Sequence, residues 1–241
     1  MWATAHPKVQ LATLAEAAAR SEVIINALSG AGSLEGLALA GEPNLAGKIV
    51  LDLSNPLDFS KGVPPSLFVS NTSSLGEQLQ QRFPSAKIVK TLNTVTANLM
   101  VDPGQLAGGD HPTFVAGNDA DARRQVAAFL REWFGWRDVI ELGDITTARG
   151  TEMLLPLWLR TWGALETPGF SLRVVRCSGT SAARDGFVAA TRFAPRGRVR
   201  RKPWRARHPD LATCGAGYLS DEASVVATRA RTSALAWHRA C

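Results

Sequence analysis

The stretch KIVLDLSNPLDF, residues 48–59, decides the fold predicted for this chain. Its apolar run, IVLDL, is typical of a short strand that is buried on both faces of a parallel sheet. Ser54, Asn55 and Pro56 then end the strand, because proline lacks a ladder donor and disfavours helix at the residue before it. Since ligands bind at the carboxyl ends of strands in such sheets, Asn55 marks the edge where a site is expected.

The same pattern, an apolar run with a polar ending, recurs along the chain. Strands are predicted at residues 22–28, 48–54, 86–93, 111–118 and 137–143. Helices are predicted at residues 11–20, 71–83, 120–134 and 151–165. Strands that alternate with helices over short loops predict an α/β fold, a doubly wound parallel sheet.

Several boundaries can be predicted from single residues. Ser74 and Glu77 have the spacing of a capping box, and Asp119 can cap the helix that follows it. Pro156 predicts a kink or a helix start. The sequence SGAG at 29–32 predicts a turn that a short helical start follows.

Three small, polar turns follow three of the predicted strands: SGAG, SNPLDF and NTVTAN. They could be three ordinary turns. Right-handed crossovers, however, would bring the ends of these strands to one edge of the sheet. We therefore expect one crevice lined by the three loops.

The composition excludes several classes of protein. The chain has 241 residues, enough for one large or two smaller domains. No apolar run approaches the roughly 20 residues that span a bilayer, and the first ten residues have no apolar signal core. Cys177, Cys214 and Cys241 match no zinc spacing and no complete disulfide set, which predicts a cytoplasmic location.

Charge divides the chain near residue 176. Residues 177–241 contain 12 of the 27 Lys and Arg residues but only 4 of the 21 Asp and Glu residues. This segment, which includes FAPRGRVRRKPWRARHP, shows no apolar periodicity. We expect a disordered basic tail at 177–241, or one that arises from coding read in another frame, after a domain at 1–176.

The glycine-rich turn of dinucleotide-binding folds, G-x-G-x-x-G, is absent from the sequence. GAGSLEG at 30–36 has its last glycine one position too late and follows what is expected to be an inner strand. GTSAARDG in the basic segment follows no predicted strand. Neither is expected to bind a pyrophosphate.

Residues 11–176 resemble the NADP oxidoreductases that use the deazaflavin coenzyme F-420. The resemblance is carried by LSGAGSLEGL, NLAGKIVLDLSNPLDFSKGVPPSL, SNTSSLGEQLQ, KIVKTLNTVTANLMVDP, FVAGNDADA, GWRDVIELGDITTARGTEMLLPLWLR and SLRVVR, in the family's order. The family's first βαβ half, with its glycine-rich turn, has no counterpart. The resemblance thus implies an incomplete Rossmann-like fold that lacks the first strand.

The resemblance implies an oxidoreductase that transfers hydride between NADPH and a deazaflavin or a flavin. Such cofactors carry the chemistry themselves, so no catalytic side chain and no metal is expected. The family's loop after the third strand passes beside the cofactor's ribose and nicotinamide, and Leu28, Ser29 and Gly30 occupy that place here. The alternative for these residues is a plain turn.

Four residues at the next two strand ends complete the expected cofactor site. Asn55 and Pro56 end one strand, and an amide can donate and accept at once, as a carboxamide or ring carbonyl requires. Asn93, with Thr94 beside it, ends the other. Lys90 and Asn93 point to opposite faces if the strand continues, so one could line the site and the other support it. Alternatively, Asn55 closes its own turn and Lys90 is a strand-end charge.

Other conspicuous residues favour structural roles. His6 and His111 are isolated from other ligand types, so neither is expected to bind metal. Glu152 is expected to favour the start of the helix at 151–165. That apolar helix predicts a homodimer interface.

Two rival functions remain open at this point. One is an inactive Rossmann-like remnant that binds no cofactor, for which the missing glycine-rich turn argues. The other is a polyanion-binding protein, in which the basic segment contacts nucleic acid non-specifically. A membrane partner is not expected.

Overall fold

A computed structural model describes residues 9–176 and the backbone of residues 225–228. Residues 9–174 and 225–228 belong to one compact unit. A second unit spans 175–222, and all but its first two residues lie outside the described part of the chain. His6, the three cysteines and most of the basic segment also lie outside it.

The described elements alternate along the chain as expected for an α/β fold. The helices are α1 (Leu14–Arg20), α2 (Gly30–Ala40), α3 (Glu42–Leu45), α4 (Leu75–Arg82), α5 (Ala97–Val101), α6 (Ala120–Phe134), α7 (Ala148–Met153) and α8 (Leu155–Leu165). The strands are β1 (Val23–Asn26), β2 (Ile49–Asp52), β3 (Leu57–Asp58), β4 (Ser66–Leu67), β5 (Lys87–Thr91), β6 (Pro112–Ala116), β7 (Asp138–Gly143) and β8 (Val225–Thr228). Short 3-10 turns lie at Pro103–Gln105, Ala107–Gly109 and Ile145–Thr147.

Six strands form one sheet in the order β7-β6-β5-β2-β1-β8. β1, β2 and β5 are parallel neighbours, which confirms the central part of the predicted sheet. β6 and β7 are parallel to each other, but β6 runs antiparallel to β5. The sheet is therefore mostly, not entirely, parallel.

Helices cover both faces of the sheet, so alternate residues of each strand enter different cores. Ile25 and Leu51 pack in a cluster with the apolar side of α6, whereas Ile24 and Val50 pack with α2 and α4. The central strands are consequently buried on both faces, as their continuous apolar runs predicted. The fold is doubly wound and Rossmann-like.

β8 lies within the segment that was expected to be disordered. Its backbone pairs antiparallel with the outer edge of β1, with Ile24 opposite Ala227. The expectation of a segment without regular structure therefore does not extend to Val225–Thr228. It stays a prediction for the remainder of 177–241.

The predicted helix caps at Ser74 and Asp119 are confirmed: each side chain accepts the amide of the residue three positions later. Pro156 lies in the first turn of α8, so it marks a start. The prediction of a turn over SGAG is wrong, because α2 already begins at Gly30 with Ser29 as its N-cap residue. Gly30, which looks like part of a turn, allows the helix to approach the loop after β2 closely.

Candidate functional site

The carboxyl edge of the sheet, as we call the loops at 27–30, 53–56 and 92–95, brings together the ends of β1, β2 and β5. Parallel pairing of these strands places the three loops side by side. This is the arrangement that the sequence predicted for one crevice. The edge is where open α/β sheets bind ligands.

Two asparagines from different loops form an amide pair at this edge. Asn55 Nδ2 donates to Asn93 O at 2.9 Å, and Asn93 Nδ2 donates to Asn55 Oδ1 at 3.0 Å. Asn55 is partly exposed and Asn93 is buried. In the described part of the chain, Asn93 Oδ1 accepts no hydrogen bond. The pair therefore keeps acceptor capacity for a further group.

Gly30 lies directly against the amide pair. A Cβ at this position would come within 2.0 Å of Asn55 O. Glycine is therefore required for α2 to start at this place, whatever binds there. Ser29, one residue earlier, is exposed and its side chain makes no cap hydrogen bond.

The other predicted site residues turn inward. Leu28 is buried, and its side chain fills the space beside Gly36. Pro56 is buried and its carbonyl accepts the amide of Phe68, which holds the β3–β4 hairpin to the edge. Thr94 is also buried. The structure thus gathers Ser29, Gly30, Asn55 and Asn93 at the edge, while Leu28, Pro56 and Thr94 pack behind it.

An ion cluster, formed by Lys90, Asp52 and Glu152, lies beneath the carboxyl edge. Lys90 Nζ is 2.6 Å from Asp52 Oδ2 and 3.0 Å from Glu152 Oε1, and all three side chains are at most 2% exposed. Lys90 Nζ also donates to Ser54 O at 2.7 Å. All three donors of the ammonium are therefore used.

The protonation of Lys90 follows from its surroundings. Burial lowers the pKa of the ammonium, but the charges of Asp52 and Glu152 outweigh burial, and the pKa of Lys90 is raised. Lys90 is consequently a fixed positive charge and not a proton donor near neutral pH. Lys90 lies near the end of β5, as the alternative of a strand-end charge has it, but the side chain is buried and supports the edge.

Each carboxylate of the ion cluster also accepts hydrogen bonds from other groups. Glu152 accepts the amides of Leu75 and Gly76, at 2.8 and 3.0 Å, at the start of α4. Asp52 Oδ1 accepts the side-chain amide of Asn26 at 2.8 Å. Glu152 therefore stabilises the N-terminus of α4, and not the helix at 151–165 that the sequence suggested.

Arg149 makes a second link between α7 and α4. Its guanidinium donates two hydrogen bonds to the carboxylate of Glu77. The hydrogen bonds from Arg149 are the main reason that the pKa of Glu77 is lowered. They also raise the pKa of Arg149. Two residues of RGTE thus hold the first turn of α4: Glu152 binds the amides at its start, and Arg149 binds the side chain of Glu77.

Nothing at the carboxyl edge has the composition of a hydrolytic or metal centre. Among residues 9–176, no group of three or more His, Cys, Asp or Glu side chains could hold a metal ion. His111 is buried and contacts Pro103 O through Nε2 at 3.2 Å. In the same range, no helix is both long and apolar enough to cross a membrane. The edge offers amide donors and acceptors, which suit a ligand that carries its own chemistry.

Two known proteins that are similar to this chain bear the names of reductases. The chain is 58% identical to an Arthrobacter sp. FB24 protein whose structure is designated an F420-dependent NADP-reductase, with a TM-score of 0.70 over 72% of this chain and 78% of that one. It is 29% identical over 119 residues to metalloreductase STEAP3 of Rattus norvegicus, covering 47% of this chain and 22% of that protein. The chain thus spans about a fifth of this curated relative. No family model matches it.

A third similar protein is more distant in both sequence and structure. An imine reductase from Myxococcus stipitatus in complex with NADP+ is 15% identical, with a TM-score of 0.41, over 65% of this chain and 48% of that one. The fold defines a Rossmann-like α/β protein. The identity to the Arthrobacter protein goes further: the chain belongs to that protein's family, the NADP-reductases.

Proposed function

We propose that the chain is an NADP-linked oxidoreductase that transfers hydride between NADPH and a deazaflavin, coenzyme F-420, or a flavin acceptor. The observation that carries the proposal is the amide pair of Asn55 and Asn93 at the carboxyl edge. Membership of the NADP-reductase family supports the nucleotide, and the designation of the Arthrobacter protein supports the deazaflavin.

The residues present fit the nicotinamide end of such a cofactor. Asn93 Oδ1 can accept from a carboxamide, and Asn55 Nδ2 has a second hydrogen to donate. Ser29 is exposed beside them at the start of α2. Small side chains at 29–30 let a flat ring lie near the backbone. The described residues offer no glycine-rich cradle for the pyrophosphate.

In the proposed mechanism, the protein binds and orients while the bound nucleotide supplies the hydride. The amide pair would hold the carboxamide of the nucleotide and would thereby orient its ring. The fixed charge of Lys90 stays below the loops and takes no part in proton transfer. Leu28, Pro56 and Thr94 support the loops from behind.

Titration with NADPH, followed by nucleotide fluorescence, tests the proposal. We expect binding weaker than micromolar, because the described residues offer no glycine-rich cradle and each charge-assisted hydrogen bond to phosphate contributes about 1.5–3 kcal/mol. Asn93→Ala should weaken it by a further factor of about three to ten. Gln81→Ala removes an exposed side-chain amide near the end of α4, away from the three loops; it is the matched control and should change nothing.

Each outcome of the titration has a distinct meaning. A micromolar or tighter dissociation constant would refute the argument from the missing cradle. No saturable binding at all would favour the inactive remnant. Equal effects of Asn93→Ala and Gln81→Ala would exclude the amide pair from the site. Mixing NADPH with F-420 or a flavin then identifies the acceptor by the loss of nicotinamide fluorescence.

The structure divides the helix predicted at 151–165 between α7 and α8, and we also propose a homodimer through its apolar part, α8. Leu157 and Leu165 of α8 are more than half exposed. Trp158 contacts Trp162 edge to face and stacks on Phe170, which leaves an apolar surface beside the two leucines. An exposed apolar surface of this kind is typical of an interface between subunits.

Two further proposals concern parts of the protein outside the carboxyl edge. The charge of 177–241 supports non-specific, salt-sensitive contact with nucleic acid as a secondary property. Cysteines that match no disulfide set support a cytoplasmic location. The division into a domain at 1–176 and a basic tail likewise stays a prediction.

A further inference from the structure

We propose that Lys90 is a positioning residue: it holds Ser54 O, and thereby fixes the backbone that presents Asn55 to the amide pair. The role deepens the proposed function, since a cofactor-facing amide is useful only if its direction is fixed. The test with NADPH rests on the proposed function. The NMR test, which uses no ligand, does not rest on it.

Three hydrogen bonds join the same two segments, 54–55 and 90–93. Lys90 Nζ donates to Ser54 O at 2.7 Å, while Asn55 and Asn93 exchange the two amide hydrogen bonds already described. Lys90 lies only three residues before Asn93. The ammonium and the amide pair therefore act on one stretch of backbone from adjacent points.

The peptide groups around Ser54 are held on both sides. Ser54 N and Oγ donate to Asp52 Oδ1 at 3.2 and 2.6 Å, and Ser54 O accepts from Lys90. The carbonyl of Asn55 accepts the amide of Leu57 at 2.8 Å. Rotation of the Asn55 side chain away from Asn93 by a backbone movement would break several of these contacts together.

Stability alone does not account for the ion cluster. Taking three charges out of water costs free energy that an apolar group of the same volume would not cost. Asp52 Oδ2 pairs with the ammonium and accepts no other hydrogen bond within the described residues. What the charges provide, and apolar side chains cannot, is direction: three fixed donors that locate Ser54 O relative to Asp52 and Glu152.

The experiment compares three variants with wild type by heteronuclear NMR of the side-chain amides. Lys90→Met removes the ammonium. Asp52→Asn keeps the acceptor of Ser54 and Asn26 but removes the charge facing Lys90, so it serves if Lys90→Met does not fold. Leu130→Ala truncates a buried side chain in the core on the opposite face of the sheet and controls for lost stability.

We expect the Asn55 and Asn93 amide signals of wild type to differ from that of exposed Asn98. In Lys90→Met and Asp52→Asn they should move toward the Asn98 position while the backbone spectrum stays dispersed. In Leu130→Ala they should not move. Unchanged signals in folded Lys90→Met or Asp52→Asn overturn the proposal, as does an equal shift in Leu130→Ala, which would show a merely structural role.

NADPH titration of the same variants forms the second arm. Lys90→Met, or Asp52→Asn in its place, should weaken binding by about the same factor as Asn93→Ala, and the double variant with Asn93→Ala should be no weaker than Asn93→Ala alone. Additive losses would contradict positioning through the amide pair. If wild type binds no NADPH, the proposed function fails while the amide signals still decide the role of Lys90.

Discussion

Replacing Gly30 by alanine tests how closely α2 must approach the carboxyl edge. The new Cβ would lie 2.0 Å from Asn55 O, 2.7 Å from Asn55 C and 3.1 Å from Leu75 Cδ2. Two of these atoms belong to the backbone, which cannot move aside without breaking the contacts of Ser54. Overpacking costs about 1–3 kcal/mol, and a backbone clash belongs at the upper end. Alanine favours the helix over glycine by up to about 1 kcal/mol, so we expect the free energy of unfolding to fall by about 2 kcal/mol in total.

Urea unfolding followed by circular dichroism measures this loss, with the slope of the transition unchanged. Gly150→Ala is the matched control, because Gly150 is exposed in α7 and an added Cβ there would meet no atom of another segment within 4 Å. That variant should gain about 0.5–1 kcal/mol. Equal stability of Gly30→Ala and wild type would refute the argument that α2 needs glycine at its start.

Two more predictions concern other parts of the molecule. The pKa of Glu77 is lowered in the folded state, chiefly by the hydrogen bonds from Arg149. The carboxylate of Glu77 therefore stabilises the fold at pH values above its ordinary pKa of 4.5, and this stabilisation is lost as the pH falls through the lowered pKa. The urea midpoint of Glu77→Gln should therefore lie below that of wild type near neutral pH and approach it in acid; a constant difference would contradict this. Leu157→Arg should convert a dimer into a monomer in light scattering, whereas Glu166→Ala, at an exposed residue just after α8, should not.

The central sheet could be predicted from sequence because its signal is local. β1, β2 and β5 are continuous apolar runs with polar endings, and parallel pairing then follows from the connecting helices. The meeting of Asn55 and Asn93 at one edge follows from the same topology. Asp119 shows the same locality, because a cap contacts an amide only three residues away.

The partners of Lys90 could not be predicted, because they come from distant parts of the sequence. Asp52 precedes Lys90 by 38 residues and Glu152 follows it by 62, so no periodicity relates them. The direction of β6 is similarly hidden, since nothing within its five residues indicates antiparallel pairing with β5. The start of α2 at Gly30 depends on tertiary packing against Asn55, which propensity alone cannot show.

The ion cluster has a consequence for how this sequence can change over evolutionary time. Losing one member of a buried charge pair costs about 3–5 kcal/mol, a large share of the roughly 5–15 kcal/mol that holds a typical domain folded. Lys90, Asp52 and Glu152 therefore constrain one another: loss of Lys90 leaves two buried carboxylates without their cation, whereas a concerted replacement that still supplies acceptors for the amides of Leu75 and Gly76 does not. Among related chains, these three positions should be retained together or replaced together.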